Sequence, residues 1–148
     1  MTDKKVRDIM STQLKTLERN DTLRLARDIM AQRRIRHFPV VDAGKLVGVV
    51  SQRDLFRATL GSVMKYGEVA ERAFLASVAV KEVLSEPAIT ISADALVKKA
   101  ARLMIEKQIG CLPVMEGGNL VGIVTETDIL KQVAEGQEEV EEYRTKTA

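Results

Sequence analysis

Tryptophan is missing from this 148-residue chain, and only three Phe and two Tyr are present, 3% of all residues. So few aromatic faces exclude a base-stacking platform for single-stranded nucleic acid. The core must then be aliphatic, built from Val, Leu, Ile, Ala and six Met. One cysteine, Cys111, allows no internal disulfide and no thiolate zinc centre. One histidine, His37, removes His-rich metal centres as well. The longest apolar stretch, Ala73 to Val80, is broken by Ser77 and falls far short of the roughly 20 residues a membrane-spanning helix needs. The opening Met1-Thr2-Asp3-Lys4-Lys5 is charged and leads into no apolar region, so no secretory signal is expected. No Gly-x-x-x-x-Gly-Lys-Ser/Thr phosphate loop and no Gly-x-Gly-x-x-Gly fingerprint occurs; Gly117-Gly118 reads as a turn. These absences lead to the expectation of a soluble cytoplasmic protein that is not an enzyme, with no metal and no required cofactor.

Net charge is +2, but unevenly spread. Residues 6–57 hold 11 Lys+Arg against 6 Asp+Glu, or +5; residues 80–131 hold 6 against 7, or −1; residues 132–148 hold 2 against 5, or −3. The first part prefers anions and the tail does not.

The chain repeats itself at a constant shift of 74 residues (113 minus 39). Pro39-Val40 recurs as Pro113-Val114, Leu46-Val47-Gly48 as Leu120-Val121-Gly122, and Asp54 as Asp128. Val6, Thr16, Ala26, Met30, Ile35, Gly44 and Val50 recur as Val80, Thr90, Ala100, Met104, Ile109, Gly118 and Val124. No gap is needed, so the two stretches are copies of one unit. Each copy reads as an amphipathic turn (Val6-Ile9-Met10; Val80-Val83-Leu84), then a brief strand near Leu14–Leu17 or Ala88–Ile91. A helix follows with Leu23, Ala26 and Met30, or Val97, Ala100 and Met104, on one stripe, capped by Asn20 or Asp94. Two β-rich runs around Asp42-Ala43-Gly44-Lys45 or Glu116-Gly117-Gly118-Asn119 form a hairpin. A last helix starts near Gln52 or Glu126. The expected fold class is mixed α/β (α+β): two pseudo-symmetric repeats, each a three-stranded sheet with two helices, packed sheet to sheet. The expected divisions are 1–57, a helical linker 58–79 with breaks at Gly61 and Gly67, 80–134, and an acidic tail 135–148 that frays.

These residues resemble those of the CBS domain, the motif named after cystathionine β-synthase. The resemblance rests on Val6-Arg7-Asp8-Ile9-Met10, on Ile35-Arg36-His37-Phe38-Pro39-Val40-Val41-Asp42, and on Lys45 through Asp54. In the second copy it rests on Ile109-Gly110-Cys111-Leu112-Pro113-Val114 and Leu120 through Asp128. Two copies in register are similar to a tandem CBS module, and the likeness covers about 6–57 and 80–131. It implies adenosine-containing ligands (AMP, ADP, ATP, S-adenosylmethionine, with NAD as a further alternative) bound in clefts between the copies. It also implies a regulatory role toward a separate effector protein, and pairing of two modules into a homodimer. Thr16 and Thr90 match family positions that line the adenine and phosphate; an ordinary strand Thr explains them equally well.

Gly48-x-x-Ser51-x-x-Asp54 and Gly122-x-x-Thr125-x-x-Asp128 sit where a strand hands over to a helix. One reading is a ligand site: free N–H groups and a hydroxyl for phosphate, an Asp for both ribose hydroxyls, and a Gly where the ligand approaches. The plainer reading is a capping box, for which Ser/Thr-x-x-Asp has the right spacing. Recurrence at matched positions, together with the family resemblance, favours the ligand. Arg33, Arg34, Arg36 and Arg53 add positive charge around the first motif, though basic residues also suit a helix C-terminus. His37 and Cys111 read as packed strand residues beside Phe38 and Leu112; Pro39 and Pro113 read as strand-entry residues. The nucleotide-binding set is therefore Thr16, Arg36, His37, Phe38, Pro39, Ser51, Arg53, Asp54, Thr90, Gly110, Cys111, Leu112, Pro113, Thr125 and Asp128. Nucleic-acid binding through the Arg-rich first repeat, or a purely dimerising role, ranks below.

Overall fold

The computed structural model describes residues 3–135; the acidic tail expected at 135–148 lies outside them except for Glu135. In chain order the elements are α1 (Val6–Ile9), β1 (Leu17–Glu18), α2 (Leu23–Arg33), β2 (His37–Asp42), β3 (Lys45–Ser51) and α3 (Gln52–Ser77). A 3-10 turn at Val80–Glu82 follows, then β4 (Ile91–Ser92), α4 (Val97–Lys107), β5 (Cys111–Glu116) and β6 (Asn119–Thr125). A last helix, α5, runs over 126–135. There are two three-stranded sheets, β1-β2-β3 and β4-β5-β6, each with its first pair parallel and its second antiparallel.

Each hairpin has a two-residue loop with both residues at positive φ: Ala43 (50°) and Gly44 (79°), Gly117 (56°) and Gly118 (80°). That geometry matches the right-handed twist of the flanking strands. The bulge falls at equivalent places, Val40/Val41 and Val114/Met115. Helix α3 runs through Gly61, which does not break it. It kinks at Gly67, whose φ of 81° and ψ of −172° suit only glycine. Beyond the kink Val69 is exposed, while Leu75 is fully enclosed in a core.

The helix caps differ from those expected. Thr22, not Asn20, caps α2, its hydroxyl accepting from the Leu25 N–H at 3.2 Å. Leu96 precedes α4 with no side-chain cap; Asp94 lies two residues before that position, as Asn20 does before Thr22, and its carboxylate accepts from Arg7 at 2.7 Å. The first strands are two residues long and start at Leu17 and Ile91. Pro39 and Pro113 are the third residues of their strands rather than the first. β1 pairs only from Val40 onward and β4 only from Val114, so each proline has a ladder neighbour on one side alone, where a missing N–H is tolerated.

The described residues form two compact units, one of residues 15–89 and one of residues 3–14 with 90–135. Compact unit and sequence repeat are thus offset: the segment leading into each repeat folds onto the sheet of the other. Val80 lies fully buried in the core with Leu17, Leu23, Ala26, Met30, Phe38, Val40, Val50, Leu55 and Leu75. Its counterpart Val6 lies fully buried with Ile91, Ala93, Ala100, Met104, Leu112, Val114 and Val124. Each such valine contributes roughly 1.5–3 kcal/mol by burial. The attachment is the same twice over. Ser85 and Val49 exchange backbone hydrogen bonds of 2.9 and 3.1 Å, as Ser11 and Ile123 do at 2.9 and 3.0 Å. Val80 N–H donates to Asp21 as Val6 N–H donates to Ala95, both at 2.8 Å. In the unit holding α1, Arg7 also bridges Asp94 and Glu116. Those hydrogen bonds, Glu116 first, hold its guanidinium above its ordinary range, and Arg7 in turn holds Asp94 below the usual carboxylate range.

This crossing explains the matched glycines. A Cβ on Gly48 would lie 2.5 Å from the Ser85 carbonyl oxygen; one on Gly122 would lie 2.6 Å from Met10 Sδ and 3.0 Å from the Ser11 carbonyl oxygen. The expectation that these glycines make room for a ligand is corrected: they admit the leading segment. Gly48 meets backbone, which cannot yield, whereas Gly122 meets chiefly a flexible Met. Gly48→Ala is therefore expected to destabilise by about 2–3 kcal/mol and Gly122→Ala by about 1 kcal/mol or less. Urea unfolding midpoints check the order, and equal effects would contradict the contact geometry.

Candidate functional site

The parallel β1-β2 pair and the antiparallel β2-β3 hairpin bring three chain positions to one end of the first sheet. They are the entry to β1 at Thr16, the start of β2 at His37, and the end of β3 at Ser51. His37 pairs with Ser51, and the Gln52 N–H donates to the Arg36 carbonyl at 2.8 Å, so Arg36 stands beside Arg53. The second sheet repeats this: Cys111 pairs with Thr125, and the Glu126 N–H donates to the Gly110 carbonyl at 3.0 Å. Thr16 is half-buried and Thr90 exposed; neither is in a strand, each standing just before one.

At the strand-to-helix turn the capping box forms. Asp54 Oδ2 accepts the Ser51 N–H at 2.8 Å, and the Ser51 hydroxyl accepts the Asp54 N–H at 3.1 Å. In the second copy Asp128 Oδ2 accepts both the Thr125 N–H at 2.8 Å and the Thr125 hydroxyl at 3.1 Å. The Asp128 N–H reaches Thr125 Oγ1 at 3.5 Å. Both boxes use Oδ2 alone. Among the described residues, Oδ1 of neither aspartate takes a hydrogen bond, and both side chains are half-buried. Capping and ligand binding therefore do not compete: one oxygen holds the turn, and the other is left to accept from outside.

The remaining residues of the expected set divide in two. Arg36 and Arg53 are exposed, whereas Phe38 and Leu112 are fully enclosed in the two cores and Pro39 and Pro113 are buried. Their side chains serve packing, so near the turn they offer a ligand only backbone. Ser11 and Ser85, with Met10 and Leu84 beside them, lie against the glycines that open the two motifs, and Ser11 recurs as Ser85 at the 74-residue shift. Among the described residues no group of three or more His, Cys, Asp or Glu could hold a metal ion, and no helix is long and apolar enough to cross a membrane.

Cys111 is buried, and burial first, then the nearby Asp128 charge, push its thiol up to about 12. An unfolded thiol titrates near 8.5. Because the folded state keeps the proton longer, stability is full below about pH 8.5 and falls as pH rises toward 12. Between pH 9 and 11 the wild type is expected to lose stability more steeply than Cys111→Ala, and alkylation of the folded protein at pH 8 is expected to be slow. Parallel pH slopes for the two proteins would contradict this placement of the thiol.

The comparisons with known proteins agree with the geometry. The family model described as CBS domain matches twice, over residues 6–61 and 80–135. The uncharacterized protein MJ1404 of Methanocaldococcus jannaschii is 35% identical over 139 residues, which span 91% of this chain but 33% of that protein. The crystal structure of AcuB from Vibrio cholerae is similar at 35% identity and a TM-score of 0.74, covering 95% of this chain and 98% of that one. The CBS domain pair of protein MJ0100, in complex with 5-methylthioadenosine and S-adenosyl-L-methionine, is similar at 26% identity and a TM-score of 0.74, covering 91% and 99%. Two matches of the family model, on two sheets of one topology, establish that the chain belongs to the CBS-domain family as a tandem pair.

Proposed function

We propose that this chain is a non-catalytic regulatory module that binds adenosine-containing ligands at its two strand-to-helix turns. The AMP, ADP and ATP series is the first choice, and S-adenosylmethionine is the alternative, with NAD behind them. The observation that carries the reading is the half-used aspartate: Asp54 and Asp128 each commit Oδ2 to the cap and leave Oδ1 open. A fixed carboxylate oxygen of this kind accepts from a ribose diol, and the capped turn presents N–H groups and a Ser or Thr hydroxyl to a phosphate. The complex of the MJ0100 domain pair with two adenosyl compounds supports the ligand class.

A cytoplasmic homodimer acting on a separate effector protein fits this reading. Phe56 and Leu60 lie one helical turn apart on α3 and are exposed at 62% and 43%; Leu130 and Val133 on α5 are exposed at 66% and 48%. Apolar side chains at this spacing give each of the two helices an exposed stripe suited to a second copy.

A thermal-shift panel of AMP, ADP, ATP, NAD and S-adenosylmethionine tests the assignment. A ligand at 100 times its Kd adds about 2.7 kcal/mol. At about 2–4 °C per kcal/mol, the midpoint is expected to rise by roughly 5–10 °C. Asp54→Asn and Asp128→Asn keep an acceptor for the cap but lose the charge, and each is expected to diminish the rise without lowering the ligand-free midpoint by more than a degree or two. No shift with any of the five compounds would contradict the reading.

A further inference from the structure

The two turns differ most in charge. Around the first, over residues 32–37 and 51–54, Arg33, Arg34, Arg36 and Arg53 face one acid, Asp54, so the sum is 4 − 1 = +3. Around the second, over 106–111 and 125–128, Lys107 faces Glu106, Glu126 and Asp128, so the sum is 1 − 3 = −2. Matched backbones thus carry side chains that differ by five charges.

The four arginines are exposed, and none has an ion-pair partner among the described residues. The chain does pair other arginines: Arg7 with Asp94 and Glu116, Arg19 with Asp42, and Arg27 with Glu71. The C-terminal end of α2 accounts for Arg33 through its dipole. It does not account for Arg53, which sits in the first turn of α3, where a cation meets the positive end of the dipole. Arg36 stands beside it through the Arg36–Gln52 backbone hydrogen bond. Arg53, at the wrong end of its helix, and the neighbouring Arg36 repel one another, and a polyanion relieves that repulsion. In the second copy Glu126 opens α5, where an acid already suits the dipole. A phosphate brought there meets Glu126 and Asp128.

We propose, resting on the adenosine-ligand reading, that the two turns take ligands of opposite charge class. The turn at Ser51–Asp54 selects a nucleotide with two or three phosphates. The turn at Thr125–Asp128 selects an adenosyl compound without phosphate, neutral or bearing a cationic centre such as a sulfonium. One chain then reports on two different metabolites.

The test is site-resolved NMR titration of the whole chain with ATP and with S-adenosylmethionine, following the amides of residues 51–54 and 125–128. ATP is expected to bind the first turn at least about tenfold more tightly than the second, with an affinity that falls as salt rises, and S-adenosylmethionine is expected to show the reverse order. The exposed pairs after each cap are then exchanged. Gln52→Glu with Arg53→Thr is expected to weaken ATP at the first turn about tenfold, and Glu126→Gln with Thr127→Arg to strengthen it at the second. Both exchanges leave the capping residues in place. Binding of both compounds to both turns within twofold, or exchanges that leave the order unchanged, would overturn this inference while leaving the adenosine reading standing. No response to either compound at either turn would overturn both.

Discussion

The structure depends on one close approach made twice: a backbone segment laid across a glycine in the middle of a hairpin's second strand. Ser85 exchanges two hydrogen bonds with Val49 beside Gly48, and Ser11 does the same with Ile123 beside Gly122. At Gly48 only a residue without Cβ lets the segment come this near, whereas at Gly122 the closest atom belongs to the flexible Met10 side chain. Once it is there, Val80 or Val6 drops into the aliphatic core below. The chain crosses from one compact unit to the other at 14/15 and at 89/90, so neither repeat, taken by itself, contains all of the residues that close its core. With almost no aromatic volume to draw on, such a core has few substitutes for a missing valine.

That constraint also fixes the turn at which we propose that the ligand binds. The hairpin strand held by the leading segment runs three residues beyond its glycine and ends at the capping Ser or Thr. The aspartate one turn on is then held through Oδ2. A carboxylate held in this way has given up its rotamer freedom before a ligand arrives, which lowers the cost of binding. On the proposed reading the same sequence feature serves stability and recognition, because a carboxylate has two oxygens and the cap needs one.

Much of this was legible in the sequence. The 74-residue repeat, the two hairpins, the amphipathic helices and the break at Gly67 all follow from periodicity and turn chemistry, which act locally. The capping-box spacing was legible too, and both boxes form. What local pattern could not show was exchange between halves: Val6 and Val80 look like ordinary first core residues of their own repeats, and nothing nearby says that they fill the other core. For the same reason Gly48 and Gly122 read as room for a ligand when a distant segment occupies that room. Asn20 and Asp94 had the composition of caps. Yet α2 and α4 begin two residues later, after Thr22 and Leu96, and Asp94 pairs instead with Arg7 across 87 residues of sequence. Phe38 and Leu112 were read as site residues because of their neighbours, but their strand positions point them into the core.

A carboxylate oxygen left open beside a capped turn is the feature on which the functional account stands. It is tested most directly by comparing, calorimetrically, the affinity of the wild-type chain for ATP and for 2′-deoxy-ATP. Deleting one hydroxyl leaves that oxygen without its donor, so the deoxy compound is expected to bind about tenfold more weakly or worse. Equal affinities for the two compounds would contradict the claim that Asp54 holds a sugar diol.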